Sequence, residues 1–130
     1  MTEQAGRATA ALEGIEACVF DAYGTLLDVR SATGRLSHDL DGKAEQVGAL
    51  WRQRQLEYTW LRSLMRRHRD FWNITRDALD HAFGALGLPE DEGLKARLME
   101  AYLSLDAYPD VGPALMEIGA KGLRTAILSN

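Results

Sequence analysis

Cysteine is all but missing from this chain of 130 residues: Cys18 stands alone. An internal disulfide is therefore excluded, and a reducing, cytoplasmic setting is the simplest reading. Cys18 lies within an apolar run, where a thiol behaves as a small hydrophobe. Histidine is scarce as well. His38, His68 and His81 stand at no metal-ligand spacing and read as surface residues, so no metal site is expected. Long hydrophobic runs are lacking: no stretch reaches the roughly 18 uncharged apolar residues of a membrane span. Positive charge is not in excess. The 15 Lys and Arg against 19 Asp and Glu leave a net charge of -4, which favours neither nucleic acid nor an anionic membrane as partner. Internal repeats and low-complexity segments are absent too. Met1 to Gly14 carries no charged-then-apolar targeting pattern and reads as a loose tail.

What remains is 46% hydrophobic and 26% charged, enough to bury the core of one domain. Ile15 to Phe20 reads as a short strand apolar on both faces. Asp28 to Gly42, polar and with two glycines, reads as loop or short helix. A long helical pattern follows from Ala44 to Met65. Val47, Leu50, Trp51, Tyr58, Leu61 and Met65 form one apolar stripe, and Leu56, Trp60 and Leu64 lie towards the opposite side, flanked by Arg52 and Gln53. A helix apolar on two faces must pack against two things, here a neighbouring helix and a cavity or subunit interface. A second helix is expected over Ile74 to Leu86, stopped by Gly87. A third is opened by Pro89, Glu90, Asp91 and Glu92, with Leu94, Leu98, Ala101, Tyr102 and Leu105 facing inward. Asp110 is the expected N-cap of a short helix marked by Val111, Leu115 and Ile118. Gly122 ends that helix, and Leu123 to Leu128 forms a second buried strand. Two strands joined through helices imply a parallel α/β sheet with a right-handed crossover. The intervening segment is too long for an ordinary connection. It is expected to stand as a helical cap over the carboxyl ends of the strands, where such sheets bind ligands.

The segment Cys18-Val19-Phe20-Asp21-Ala22-Tyr23-Gly24-Thr25-Leu26 is the most informative in the chain. An apolar run delivers one carboxylate to a Gly-Thr turn, which is how an α/β sheet presents a nucleophile at its carboxyl edge. The second strand closes in Leu128-Ser129-Asn130, and between the two lies Leu50-Trp51-Arg52-Gln53-Arg54-Gln55-Leu56-Glu57-Tyr58-Thr59-Trp60-Leu61-Arg62-Ser63-Leu64-Met65. Asp-x-x-Gly-Thr alone is a weak signal. Together, in this order and spacing, the three segments resemble the haloacid dehalogenase superfamily from Ile15 to Asn130. Metal-dependent phosphatases of that superfamily carry a second Asp two places after the first, as general acid. Tyr23 stands there here, and the Leu50–Met65 segment is similar to the first cap helix of the L-2-haloacid dehalogenase (type II) branch. The resemblance implies an α/β fold with a Rossmann-like core (residues 15–27 and 107–130) and a helical cap inserted after the first strand (28–106), behind a tail at 1–14.

The activity implied is hydrolytic dehalogenation of a short 2-haloalkanoic acid to the 2-hydroxy acid through an aspartyl ester, without cofactor or metal, in a cytoplasmic homodimer. Asp21 would be the nucleophile and Thr25 would orient it. Arg52 and Asn130 would meet the departing halide, and Ser129 the substrate carboxylate. Tyr23, Gln53, Leu56 and Phe71 match pocket-lining positions. Halide leaves as a stable anion and needs no proton, so a general acid beside Asp21 has no task. No phosphoryl charge develops, so Mg²⁺ has none either. Donors at the developing negative charge do matter, and a guanidinium is always charged. Taken singly, each residue has a plainer role. An Asp after a strand is often a turn residue, Arg52 a solvated helix arginine, and Ser129 with Asn130 a strand-end turn. Leu56 and Phe71 suit a core as well as a pocket, and Trp51, Trp60 and Trp72 suit packing anchors. Arg62, Arg66, Arg67, His68 and Arg69 read first as a solvated helix end and second as a device that steers anionic substrates.

The superfamily's third motif supplies a lysine and its fourth further polar groups. Lys43, Lys95 and Lys121 do not match the lysine's position. The resemblance therefore implies the N-terminal portion of a dehalogenase. A polypeptide ending at Asn130 is expected to be unstable or self-associating and nearly inactive, and full turnover by a folded 130-residue monomer would contradict that. Two other readings stay open: a metal-dependent phosphatase or phosphonatase of the same superfamily, and a non-catalytic interaction module.

Overall fold

The first apolar run forms strand β1, Ala17–Phe20, in the computed structural model, which describes residues 11–129. Residues 1–10 of the expected tail, and Asn130, lie outside the described residues; 11–14 are exposed and without regular structure. The second apolar run forms β4, Arg124–Ile127. It pairs parallel with β1, Ala17 opposite Arg124 through Phe20 opposite Ile127, so both strands end at the same edge. Before β4 comes α5, Val111–Ala120, which packs on that strand. Gly122 closes the helix at φ +73, a left-handed conformation that a side chain resists.

The expectation that these strands are buried on both faces does not hold. Val19 and Ile127 are each 62% exposed. Among the described residues each strand has one strand neighbour in this sheet, and α5 is the helix that packs on β4. A second departure is at Asp110. It occupies the N-cap position of α5, but its backbone is already helical and its side chain makes no capping bond.

Between β1 and α5 lies the helical part. The region read as loop or short helix holds α1, Ser31–Arg35, and a 3-10 turn, Ser37–Asp39. Then come α2, Ala44–Leu64; α3, Phe71–Ala85; and α4, Glu92–Tyr102. Helix α2 matches the expected span and buries Val47 and Trp51. At its end both apolar sides are exposed, Leu61 and Met65 of the stripe and Trp60 and Leu64 of the opposite side. Helix α3 starts three residues earlier than expected because Asp70 caps it, accepting from the Asn73 N–H at 2.9 Å. Asp91 caps α4 in the same way through the Leu94 N–H. The helices α1 to α4 enclose one core containing Leu40, Val47, Trp51, Leu79, Phe83 and Leu98. His81, expected at the surface, is half-buried with its ring edge-on to Tyr58 at 6.4 Å. Lys95 is also drawn in, 5% exposed, held by Glu90 at 2.6 Å and Asp80 at 3.0 Å. Burial works to lower its pKa, but these two carboxylates outweigh burial and raise it.

A second, two-residue ladder was not foreseen. β2, Leu27–Asp28, pairs antiparallel with β3, Asp106–Ala107, clasping the two ends of the helical segment. Asp28 and Asp106 face each other, an unfavourable pairing on its own. Arg35 relieves it by binding Asp106, while the Arg30 N–H donates to Asp28 at 3.0 Å. Ser31 Oγ donates to the Asp28 carbonyl at 2.6 Å and accepts from the Asp106 N–H at 3.0 Å.

Packing density divides the molecule. Phe83 is fully buried and Met116 on α5 is 77% exposed. Phe83→Ala is expected to lower the unfolding free energy by about 3–5 kcal/mol, and Met116→Ala to change it by less than about 0.5 kcal/mol. Urea denaturation of both variants measures the contrast.

Candidate functional site

Past β1 the chain turns back on itself. The Ala22 carbonyl accepts from the N–H groups of Thr25, Leu26 and Leu27 at 2.9–3.3 Å, and the Gly24 N–H donates to the Leu27 carbonyl at 2.9 Å. Gly24 sits at φ +87, which this turn requires and a β-carbon would strain. The turn brings Thr25 back to Asp21, and its hydroxyl donates to the carboxylate at 3.2 Å. At the neighbouring strand end, the Leu128 N–H donates to the Phe20 carbonyl at 2.9 Å, which carries Leu128 and Ser129 to the same edge as Asp21.

The helical part closes over this edge. Asp21, Tyr23, Leu128 and Ser129 from the strand ends meet Arg52 and Leu56 of α2 and Phe71 of α3 around a cleft of about 280 Å³. The Tyr23 ring stacks on Phe71 at 5.2 Å and lies 5.5 Å from Tyr102, which lies 5.2 Å from Trp51. One wall is therefore aromatic. The opposing polar groups are one carboxylate, one hydroxyl and one guanidinium. Such a cleft suits a small molecule with an apolar body and an anionic group.

Arg52 is fixed by two neutral oxygens. It donates to the Tyr23 carbonyl at 3.0 Å and to Gln55 Oε1 at 2.8 Å. Gln55 is buried and belongs to a polar network. Its Nε2 donates to Thr75 Oγ1 at 2.8 Å, Tyr102 donates to its Oε1 at 3.1 Å, and Thr75 donates to the Phe71 carbonyl at 2.7 Å. Trp51 Nε1 donates to the Thr75 carbonyl at 2.8 Å. Burial pushes the Tyr102 hydroxyl pKa up, against the opposing effects of Gln55 and Arg52, so it stays a neutral donor at physiological pH.

Of the residues singled out in the sequence, Asp21, Tyr23, Arg52, Leu56, Phe71 and Ser129 line this cleft, and Thr25 touches it through Asp21. Gln53 does not line it. Its side chain is exposed and donates to Glu57 at 2.8 Å, the largest of the effects that lower the Glu57 pKa. Asn130 lies outside the described residues. Leu128, Gln55 and Thr75 were missed. A glutamine three residues after Arg52 and four after Trp51, on the inward side of α2, is the signal that could have found the network. Among the described residues, no three His, Cys, Asp or Glu side chains are grouped so that they could hold a metal ion, and no helix is long and apolar enough to cross a membrane.

Comparison with known proteins agrees with this geometry. A family model described as haloacid dehalogenase-like hydrolase matches residues 15–130. The (S)-2-haloacid dehalogenase 1 of Pseudomonas sp. (strain CBS-3) is 55% identical over 119 residues, 92% of this chain and 52% of the relative. A crystal structure of a dehalogenase superposes with a TM-score of 0.87 at 49% identity, covering 92% of this chain and 53% of that one. The L-2-haloacid dehalogenase of Xanthobacter autotrophicus, solved with chloropropionic acid covalently bound, gives a TM-score of 0.79 at 47% identity, covering 88% and 46%. The chain spans about half the length of the curated relatives it matches.

Asp70, one residue before Phe71, sets the first turn of α3 and with it one cleft wall. The Asn73 N–H and then the Asn73 side chain hold the Asp70 carboxyl below its ordinary value of 3.8. A depressed folded pKa means the cap's contribution is complete above the unfolded value and lost as pH falls through the folded one. The Asn73 amide resonance is expected to titrate with a midpoint below 3.8, and to lose that titration in Asp70→Asn. NMR across the acid range reads both.

Proposed function

The chain belongs to the haloacid dehalogenase-like hydrolase family, and from that premise we propose that the whole protein hydrolyses short (S)-2-haloalkanoic acids to 2-hydroxy acids. The observation that carries the reading is the meeting of Asp21, Arg52 and Ser129 around one cleft with an aromatic wall. In this proposal an Asp21 carboxylate oxygen attacks C2 from the side opposite the halogen. The C–O bond forms as the carbon–halogen bond breaks, and the bonding pair leaves with the halide. Water then attacks the carboxyl carbon of the resulting ester. The 2-hydroxy acid departs with C2 inverted, Asp21 is regenerated, and one proton is released. Thr25 orients the Asp21 carboxylate through its hydrogen bond. Arg52 and Asn130 receive the halide, where donors at a developing charge contribute most. Ser129 holds the substrate carboxylate, and Tyr23, Leu56 and Phe71 enclose its alkyl part. Gln53 joins them only by releasing Glu57. No step in this chemistry calls for a cofactor or metal.

The same proposal divides the molecule into a core (15–27 and 107–130) and a cap (28–106), with the tail ahead of them. The two-residue β2–β3 ladder, pairing Asp28 with Asp106, supports that boundary. It places the protein in the cytoplasm, with Cys18 free. It makes the protein a homodimer through the exposed apolar end of α2, where Trp60, Leu61, Leu64 and Met65 stand with Trp72 of α3.

Halide release from (S)-2-chloropropanoate by the protein at its natural length tests the reading. Release is expected to persist in EDTA and to fall at least about a thousandfold in Asp21→Asn, the scale on which removal of a nucleophile acts. Mg²⁺-dependent phosphate release in place of halide release would assign the protein to the phosphatase branch instead.

A further inference from the structure

We propose that Gln55 is a positioning residue that holds the Arg52 guanidinium over the cleft while leaving its positive charge free for an anion. The inference rests on the reading above, in which Arg52 meets the halide. Its basis is a contrast along one helix. Arg54 pairs with Glu57, and Arg62 lies 3.9 Å from Asp77. Arg52 alone of these three has no carboxylate partner among the described residues and is held by an amide oxygen and a backbone carbonyl. A neutral acceptor fixes a guanidinium in direction without cancelling its charge, whereas a carboxylate at the same place would do both.

The orientation of the Gln55 amide is dictated by its neighbours. The Thr75 hydroxyl donates its one proton to the Phe71 carbonyl, so towards Gln55 it can only accept. That turns the Gln55 NH₂ to Thr75 and the oxygen to Arg52 and Tyr102. Gln55 is 1% exposed, so water cannot substitute for these partners. The network ends on the backbone of Tyr23 and Phe71, two of the residues that wall the cleft. Gln55 thus adjusts Arg52 to the same walls that enclose the ligand, without touching the ligand itself.

The test is bromide binding, which needs no turnover. Sodium bromide is titrated at constant ionic strength into the protein at its natural length, and the Arg52 Nε–H resonance is followed. Gln55→Glu preserves shape and an acceptor but adds charge. It is expected to weaken bromide binding at neutral pH by at least about tenfold. Affinity should return towards the wild-type value as pH falls and the introduced carboxylate protonates, a recovery that a merely structural lesion does not produce. Tyr102→Phe removes one donor to Gln55 and is expected to weaken binding by about two- to fivefold, without that acid recovery. Wild-type affinity in Gln55→Glu at neutral pH, loss without acid recovery, or a wild-type protein that binds no bromide would each overturn the proposal. Should Gln55→Glu fail to fold, unchanged affinity in Tyr102→Phe overturns it. Haloacid turnover is scored separately. Bromide binding in the expected order by a protein that turns over no haloacid supports the positioning role and removes the dehalogenase reading.

Discussion

The hydrogen bond from Arg52 to the Tyr23 carbonyl, 3.0 Å long, joins the two parts on which the cleft depends. Tyr23 follows β1 in the turn that presents Asp21, and Arg52 projects from the middle of α2. Without that link, one part would offer a carboxylate and a hydroxyl at an open sheet edge, and the other a guanidinium on a helix face. The Tyr23 ring adds a second tie by stacking on Phe71 and approaching Tyr102, so polar and aromatic contacts act on the same residue. Hydrogen bonds to a charged group contribute on the order of 1.5–3 kcal/mol, and offset aromatic pairs roughly 0.5–1.5 kcal/mol beyond area burial. Against the roughly 5–15 kcal/mol by which domains are stable, such ties are enough to set how one part lies on the other.

The second constraint is at the neck. A segment of helices leaves the sheet after Leu26 and returns at Tyr108, whose N–H donates to the Leu26 carbonyl at 3.1 Å. The β2–β3 ladder is only two residues long, too short to be rigid alone. Ser31 and Arg35 brace it from α1, each reaching the strand β3. Because α1 packs on both α2 and α4, the brace ties the neck to the helical core. The attachment of the helical core at the neck follows from a handful of side chains at Asp28, Ser31, Arg35 and Asp106.

Much of this was legible in the sequence, and the divide between what was and was not is physical. The span of α2 was legible because its apolar residues recur at helical spacing, and α4 because Pro89, Glu90, Asp91 and Glu92 signal a helix opening, though the helix itself begins at the last of them. Asp21 and Ser129 were legible because a strand that ends in a polar residue leaves few places for that residue to point. The start of α3 was not, since Asp70 caps a helix whose first residues, Phe71 and Trp72, carry no helix-opening signal of their own. The β2–β3 ladder was not, since two residues show no periodicity. The exposure of Val19 and Ile127 could not be read either, because an apolar strand records that something covers it, not what. Gln55 and Thr75 were overlooked for a related reason. A polar residue within a helix is taken for a solvated one until a partner from another helix, 20 positions away for Thr75 and 47 for Tyr102, gives it reason to be buried.

The distribution of supporting contacts follows from side-chain length. Asp21 and Ser129 have short side chains on strand ends, so the sheet's backbone pairing positions them, and a single bond from Thr25 is enough to align the carboxylate. Arg52 has a long side chain that must cross from a helix to the sheet edge. Free, it carries about 2 kcal/mol of rotamer entropy. The buried amide of Gln55, itself held by Tyr102 and Thr75, removes much of that freedom in advance. Burying these polar groups is costly unless each finds a partner, and the chain of bonds from Arg52 to the Phe71 carbonyl supplies one to every member. The network therefore lies beneath Arg52 and not beneath Asp21 because the longer side chain is the one that would otherwise be loose.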